Sequence, residues 1–206
     1  MTEPTDGAFT ELAEKRQETE STQPVNPSLE VTSINFADVF SNEECDLLKE
    51  NVIDELWMPI KVQGDENHHK GFRQKLRGDV NGFPFDQIKE VTKAANNQVY
   101  GFDLLGIIDQ DFPQVFKYTS DCYYNWHIDL NVVAPTRKMT FIINLSDEND
   151  YKGGDLEFLN INVSEYKVNT LGKIIVFPSY IPYRITPVTE GEKKIIIGHV
   201  HGATFK

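Results

Sequence analysis

From Phe102 onward the chain is built of short runs rich in Val, Ile, Phe, Tyr and Thr, cut at close intervals by Gly, Pro, Asn and Asp. Runs this short, punctuated this way, read as antiparallel strands. The candidates are residues 102–108, 114–118, 123–128, 138–145, 155–158, 165–168, 173–177, 183–186 and 193–201. Helical signals precede them. Ser41 followed by Glu44 forms a capping box, and Cys45, Leu48, Val52 and Ile53 then recur at helical spacing. A second helix is expected over 86–100, with Ile88, Val91, Ala95 and Val99 inward. An alternating run at 31–36 is expected to start the structured part. Helices first and many short strands afterwards predict an α+β, mainly β chain. The expected architecture is a double-stranded β-helix, or jelly roll, with the N-terminal helices packed on one sheet. The lumen of such a barrel can hold a metal ion and a small acid.

Composition narrows the possible partners. The chain has 206 residues and a formal net charge of −12. Sequence-independent binding of nucleic acid relies on neutralising phosphates with Lys and Arg, so no nucleic-acid partner is expected. Anionic membrane surfaces are disfavoured for the same reason, and no apolar run is long enough to cross a bilayer. With no basic, apolar leader and only Cys45 and Cys122, a cytoplasmic location is the expectation. Residues 1–30, rich in Thr, Glu, Gln, Ser and Pro, read as a disordered acidic tail. Residues 31–206 read as a single domain. The polar stretch 65–71 reads as a loop, a candidate lid or substrate loop, with His68 and His69 solvated.

His127 and Asp129 carry the chemical signal. On a strand, residues i and i+2 project to one face, so both can reach a single ion. Imidazole and carboxylate together suit Fe(II), and two His with one carboxylate leave three positions open for other ligands. On its own the pair is a weak motif.

Its surroundings strengthen it. Tyr118 to Asp129, Arg137 to Asp147, Tyr151-Lys152-Gly153-Gly154-Asp155-Leu156, Gly172 to Ser179 and Arg184 to Gly191 occur in a characteristic order. Together they resemble the prolyl 4-hydroxylase-like group of Fe(II)/2-oxoglutarate-dependent dioxygenases, small bacterial and phage type, over residues 36–202. The resemblance implies His127 and Asp129 as metal ligands and catalytic residues. It implies Lys193 as the partner of the distal carboxylate of 2-oxoglutarate, with Tyr124 as a hydroxyl donor to the same group. Thr140 and Asn144 share a strand face and are expected to add polar contacts in the lumen. Fe(II), 2-oxoglutarate and O2 are the implied cofactor and cosubstrates, with ascorbate as a possible reductant. A peptide, protein or free amino acid is the implied substrate, with proline the first choice.

The chain departs from the family pattern at two places. Tyr183 stands where the second histidine is expected, and His199 where the family usually has Trp. Phenol is a poor neutral ligand, with an ordinary pKa of about 10. A hairpin joining 183–186 to 193–201 would set Tyr183 across from Gly198 or His199. Three readings stay open: iron on His127 and Asp129 completed by Tyr183 or water, iron with His199 as third ligand, or a barrel that no longer turns over. The functional alternatives are thus an iron- and 2-oxoglutarate-dependent hydroxylase and a catalytically impaired jelly-roll binding module.

Overall fold

The computed structural model describes residues 34–62 and 67–205. The expected acidic tail lies outside them, as do residues 31–33 of the first strand-like run and 65–66 of the polar loop.

The strands, in chain order, are β1 (Asn35–Asp38), β2 (Met58–Pro59), β3 (His69–Lys70), β4 (Phe72–Lys75), β5 (Leu104–Gly106), β6 (Gln114–Tyr118), β7 (Tyr123–His127), β8 (Arg137–Asn144), β9 (Tyr151–Gly153), β10 (Leu156–Phe158), β11 (Lys173–Pro178), β12 (Tyr183–Ile185), β13 (Val188–Gly191) and β14 (Lys193–Gly202). Two α-helices precede most of them: α1 (Asn42–Glu50) and α2 (Phe85–Ala95). The large sheet runs β1-β11-β8-β14-β6-β4-β2, with β5 beside β14. The small sheet runs β10-β12-β7-β3, and β13 pairs with β9. Every pairing between these strands is antiparallel. This is the expected jelly roll.

Alternation along the central strands sets the layers. On β8, Met139, Phe141 and Ile143 join Leu48, Phe85 and Ile88 of the helices in one apolar cluster. Ile142, between them in sequence, joins Ile175, Phe177, Ile195 and Ile197 in a second cluster with Tyr183 and Ile185 of the small sheet. Successive side chains on a strand face opposite ways. The first cluster is therefore the helix-covered back of the large sheet, and the second is the barrel lumen. Residues of β8 are buried on both faces, which is why that strand reads as a nearly unbroken apolar run.

The capping box forms as expected. Ser41 Oγ accepts from Glu44 N–H at 3.2 Å, and Glu44 Oε2 accepts from Ser41 N–H at 2.9 Å. The second helix ends at Ala95 and continues as a π-helical turn over Asn96–Tyr100, stopped by Gly101 at φ 66°.

Three sequence expectations are corrected. Residues 165–168 begin in a 3-10 turn, Ser164–Tyr166, with Lys167 left-handed at φ 47°, so they form no strand. His69 is on β3, paired with Tyr124 across β7, and is buried rather than solvated. The hairpin between β12 and β14 does not form. β12 lies in the small sheet and β14 in the large one, with β13 leaving to pair with β9 between them. Tyr183 is instead directly across from His127. A short strand cannot hydrogen-bond to both sheets, and β12 is already flanked on both sides by β10 and β7.

Candidate metal centre

The site begins with a bulge. Tyr183 is opposite His127 and Ile185 is opposite Tyr124, so two steps along β12 face three steps along β7. A regular strand would turn Tyr124 and His127 to opposite faces. The bulge brings both to the same face, where their rings stack with centroids 3.5 Å apart. His69 stacks on the far side of Tyr124 at 3.6 Å. Tyr124 is thus a ring wall that fixes the plane of His127.

His127 is fixed chemically as well. Its Nδ1 lies 2.7 Å from the carbonyl of Asn125. A carbonyl can only accept, so Nδ1 carries the proton and Nε2 presents a lone pair. That Nε2 is buried and has no hydrogen-bond partner.

Asp129 follows just past the strand. Its backbone N–H donates to Ser179 O at 3.0 Å, which ties the turn to the end of β11. The carboxylate is the centre of the cluster. Oδ1 is 3.6 Å from His127 Nε2, and Oδ2 is 3.5 Å from His199 Nε2. Thr140 Oγ1 donates to Oδ2 at 2.6 Å and lies 3.1 Å from Ser179 Oγ. Burial pushes the Asp129 carboxyl up, but the neighbouring His199 and His127 outweigh it and hold it well below the usual carboxylate range.

His199 arrives from β14, across the barrel. Its Nδ1 is 3.1 Å from Asp111 Oδ2, which also lies 3.0 Å from His201 Nε2. Arg137 grips the same carboxylate through Nε at 2.6 Å and Nη2 at 2.8 Å, and reaches Asp129 O through Nη1 at 3.3 Å. Burial pulls the His199 imidazole down, yet the carboxylates of Asp129 and Asp111 raise it above its ordinary value. Asp111 and Arg137 were not singled out as site residues from sequence. Asp111 lies before β6 and carries no local motif, so its approach to β14 was not visible.

Tyr183 is fully buried among Phe158, Phe177 and His127, its ring centroid 4.2 Å from that of His127. Its hydroxyl has no hydrogen-bond partner. Burial, followed by the nearby Asp129 charge, drives its pKa well above 10, so the side chain is a neutral phenol at ordinary pH.

Lys193 lies on the same face of β14 as His199, with Ile195 and Ile197 between them. Its ammonium is buried and donates to Gly154 O at 2.6 Å and Asn169 Oδ1 at 2.9 Å. Both acceptors are neutral. Burial, only partly offset by Asp155, therefore depresses its pKa from 10.5 to about 7. The phenol in register with Lys193 is Tyr118, whose hydroxyl is 2.9 Å from His69 Nε2. Tyr124, the residue singled out from sequence, sits instead against His127. Asn144 is in the lumen with Oδ1 lacking a partner, and Thr140 supports Asp129. The cavity beside Lys193, lined by Ile142, Asn144, Ile175, Ile185 and Ile195, measures about 10 Å³. A larger groove of about 1070 Å³ follows loop 159–171 on the outside and includes neither His127 nor Asp129.

The donor set fits a metal ion. Three buried polar atoms (Nε2 of His127, Nε2 of His199 and the Tyr183 hydroxyl) lack partners around one ionised carboxylate, and buried polar groups are otherwise almost always paired. Among the described residues, no three His, Cys, Asp or Glu side chains are yet close enough to hold an ion together. The fit to a dicarboxylic acid is mixed. Lys193 offers a buried cation with no carboxylate partner, which suits an anion, but the space beside it holds about one water.

Residues 113–201 match the model of the 2OG-Fe(II) oxygenase superfamily. A PKHD-type hydroxylase of Prochlorococcus marinus (strain MIT 9312) is 33% identical over 86 residues, 41% of this chain and 38% of the relative. One of Hyphomonas neptunium is 31% identical over 85 residues, 39% of this chain and 38% of the relative. The chain thus spans less than two fifths of the length of these curated relatives. Among solved structures, a viral collagen prolyl hydroxylase from Paramecium Bursaria Chlorella virus-1 aligns with TM-score 0.59 and 19% identity, covering 84% of this chain and 97% of its own. A Trichoplax adhaerens prolyl hydroxylase, in complex with a hypoxia inducible factor peptide fragment, aligns with TM-score 0.64 and 12% identity over 95% and 90%. At these identities the structures support the fold.

Proposed function

We propose that this chain is a member of the 2OG-Fe(II) oxygenase superfamily, of the prolyl hydroxylase-like kind, and that it is an Fe(II)- and 2-oxoglutarate-dependent hydroxylase acting on a peptidyl or free amino acid, with proline the first choice; the match of residues 113–201 to the superfamily model supports this reading. The observation that carries this reading is the set of unpartnered buried donors around Asp129, in the same lumen as the buried Lys193 cation.

Each group has a distinct role in this reading. His127 and Asp129 hold the iron. Thr140 holds the second carboxylate oxygen of Asp129, so the carboxylate cannot swing. The stacked Tyr124 and the Asn125 carbonyl keep the His127 lone pair aimed at the ion. Lys193 takes the distal carboxylate of the keto acid, in a water-poor lumen where a charge-assisted bond is strong. Bound iron supplies oxygen activation coupled to conversion of 2-oxoglutarate to succinate and CO2. The phenyl and aliphatic lining keeps water from the reacting atoms.

The substrate side follows from the barrel mouth. Ile128, between the two ligands, is exposed, and Val132 and Val133 in the following loop are almost fully so. Leu130 N–H donates to Ser179 O, which places this loop beside exposed Tyr180. An apolar rim of this kind suits an extended peptide or a small ring such as proline.

A second reading, a binding module without turnover, is favoured by one observation: the 10 Å³ of space beside Lys193. Anaerobic titration with Fe(II) and 2-oxoglutarate separates the two. A visible charge-transfer band, followed by succinate on admitting air, supports the hydroxylase. Absence of both sinks it and leaves the binding module.

A further inference from the structure

We infer that the third metal ligand has moved to the opposite sheet: His199, oriented by Asp111, completes a two-histidine, one-carboxylate set with His127 and Asp129, while Tyr183 does not coordinate. This inference rests on the proposed iron site but not on turnover.

Spacing supports it first. Two donors on one ion, each at an ordinary length of about 2.1 Å, stand between roughly 3 and 4.2 Å apart for angles from 90° upward. His127 Nε2 to Asp129 Oδ1 is 3.6 Å, and His199 Nε2 to Asp129 Oδ2 is 3.5 Å. Each separation falls in that window, although the two histidines approach different oxygens of Asp129 and the three side chains do not yet converge on one point. Both Nε2 atoms are buried and unpartnered.

Orientation supports it next. Metal-binding histidines commonly give their second ring nitrogen to a carboxylate, which fixes the tautomer and the ring. His199 has that arrangement through Asp111, and Asp111 is itself held by Arg137 and His201. His201 is a brace rather than a ligand, because both of its nitrogens are engaged: Nε2 with Asp111 and Nδ1 with Thr136 Oγ1 at 2.9 Å. His199 keeps one nitrogen for the ion. Arg137 reaches the backbone of Asp129 as well, so one guanidinium braces the two ligands from opposite sheets.

Tyr183 is the weaker candidate on chemical grounds. Phenolate is the form that binds iron, and it favours Fe(III) over Fe(II). The ring is packed among Phe158, Phe177 and His127, and no nitrogen is offered from this position. It fills the space where a second histidine from β12 would have stood across from His127.

The test uses the full chain, with Co(II) as a visible probe and Fe(II) under anaerobic conditions, and no 2-oxoglutarate. His199→Gln should weaken metal binding by about 100-fold or more. Asp111→Asn, acting through His199, should weaken it about 10- to 100-fold and shift the Co(II) visible bands. Tyr183→Phe should leave affinity within about threefold. Tyr183→His in the His199→Gln background should restore binding. Metal retained by His199→Gln, or lost in Tyr183→Phe, overturns the assignment. Should His199→Gln fail to fold, the unaltered chain labelled with 15N-histidine and loaded with Zn(II) decides: both His127 and His199 Nε2 signals must move, and movement of His127 alone overturns the inference. If both move but no succinate is ever made, the ligand set stands and the hydroxylase reading falls.

Discussion

His199 and Asp129 come from different sheets of the barrel, yet His199 Nε2 lies 3.5 Å from Asp129 Oδ2. Neither sits in a hydrogen-bonded ladder with the other. Their approach is made by the depth of the lumen, and Thr140, in register with His199 on β8, bonds the same oxygen. The Asp129 carboxylate is therefore supported from the large sheet although it belongs to a turn after the small one.

Thr140→Val should expose how much that support is worth. The change keeps the shape and removes a 2.6 Å bond to a buried charged acceptor. A loss of about 1.5–3 kcal/mol of unfolding free energy is expected, with metal affinity falling in parallel. Urea unfolding of the metal-free chain, together with Co(II) titration, measures both. Unchanged stability would show that Ser179 takes over.

Lys193 should give stability a rising pH dependence. Its pKa is depressed to about 7 from 10.5. Below about 7 both folded and unfolded chains hold the proton, and the folded state carries the full cost of a buried ammonium. Between about 7 and 10.5 the unfolded chain binds more protons, so stability rises with pH from this group. Lys193→Met should abolish that rise and stabilise the fold at pH 6 by on the order of 1 kcal/mol or more. Unfolding at pH 6 and pH 9 checks it.

The same residue sets the pH dependence of acid binding. A carboxylate partner stabilises the ammonium, so binding takes up a proton above about pH 7. The affinity of the metal-loaded chain for 2-oxoglutarate is expected to fall by up to tenfold per pH unit above that point. Calorimetry in two buffers of different ionisation enthalpy reads the proton uptake directly. Zero uptake at pH 8 would remove Lys193 from the binding site.

Gly154→Ala should damage the lumen from the β9–β10 turn. Gly154 has φ +65°, and an added Cβ would stand 2.9 Å from Val188 Cγ2 and 3.2 Å from Lys193 Cδ. The left-handed backbone alone costs a non-glycine residue about 1–2 kcal/mol. A Tm decrease of several degrees, accompanied by weaker 2-oxoglutarate binding, is the expected result. Ser41→Ala is the contrasting control. It removes the α1 cap and costs about 1 kcal/mol without touching the site, so metal affinity should hold.

Much of the fold was legible because strand and helix periods are local. Ser41 and Glu44 announced α1, and the alternating runs gave β6 and β8 closely. His127, Asp129 and Lys193 were legible as chemistry because their residue types and order resemble a known pattern. The bulge in β7 was not legible, since no residue at 125–126 marks it. Nor was the burial of His69, which depends on Tyr118 and Tyr124 arriving from other strands.

The sequence by itself determined the barrel, its helix-covered face and the identity of the groups that enter the lumen, because these follow from alternation and capping within a few residues. Only the tertiary structure decided which of them meet. It set Tyr183 opposite His127, carried β14 to the other sheet and brought Asp111 to His199 from 88 residues away in the chain. Distances of that kind are fixed by how two sheets close on one another, and no local stretch of chain encodes that closure alone.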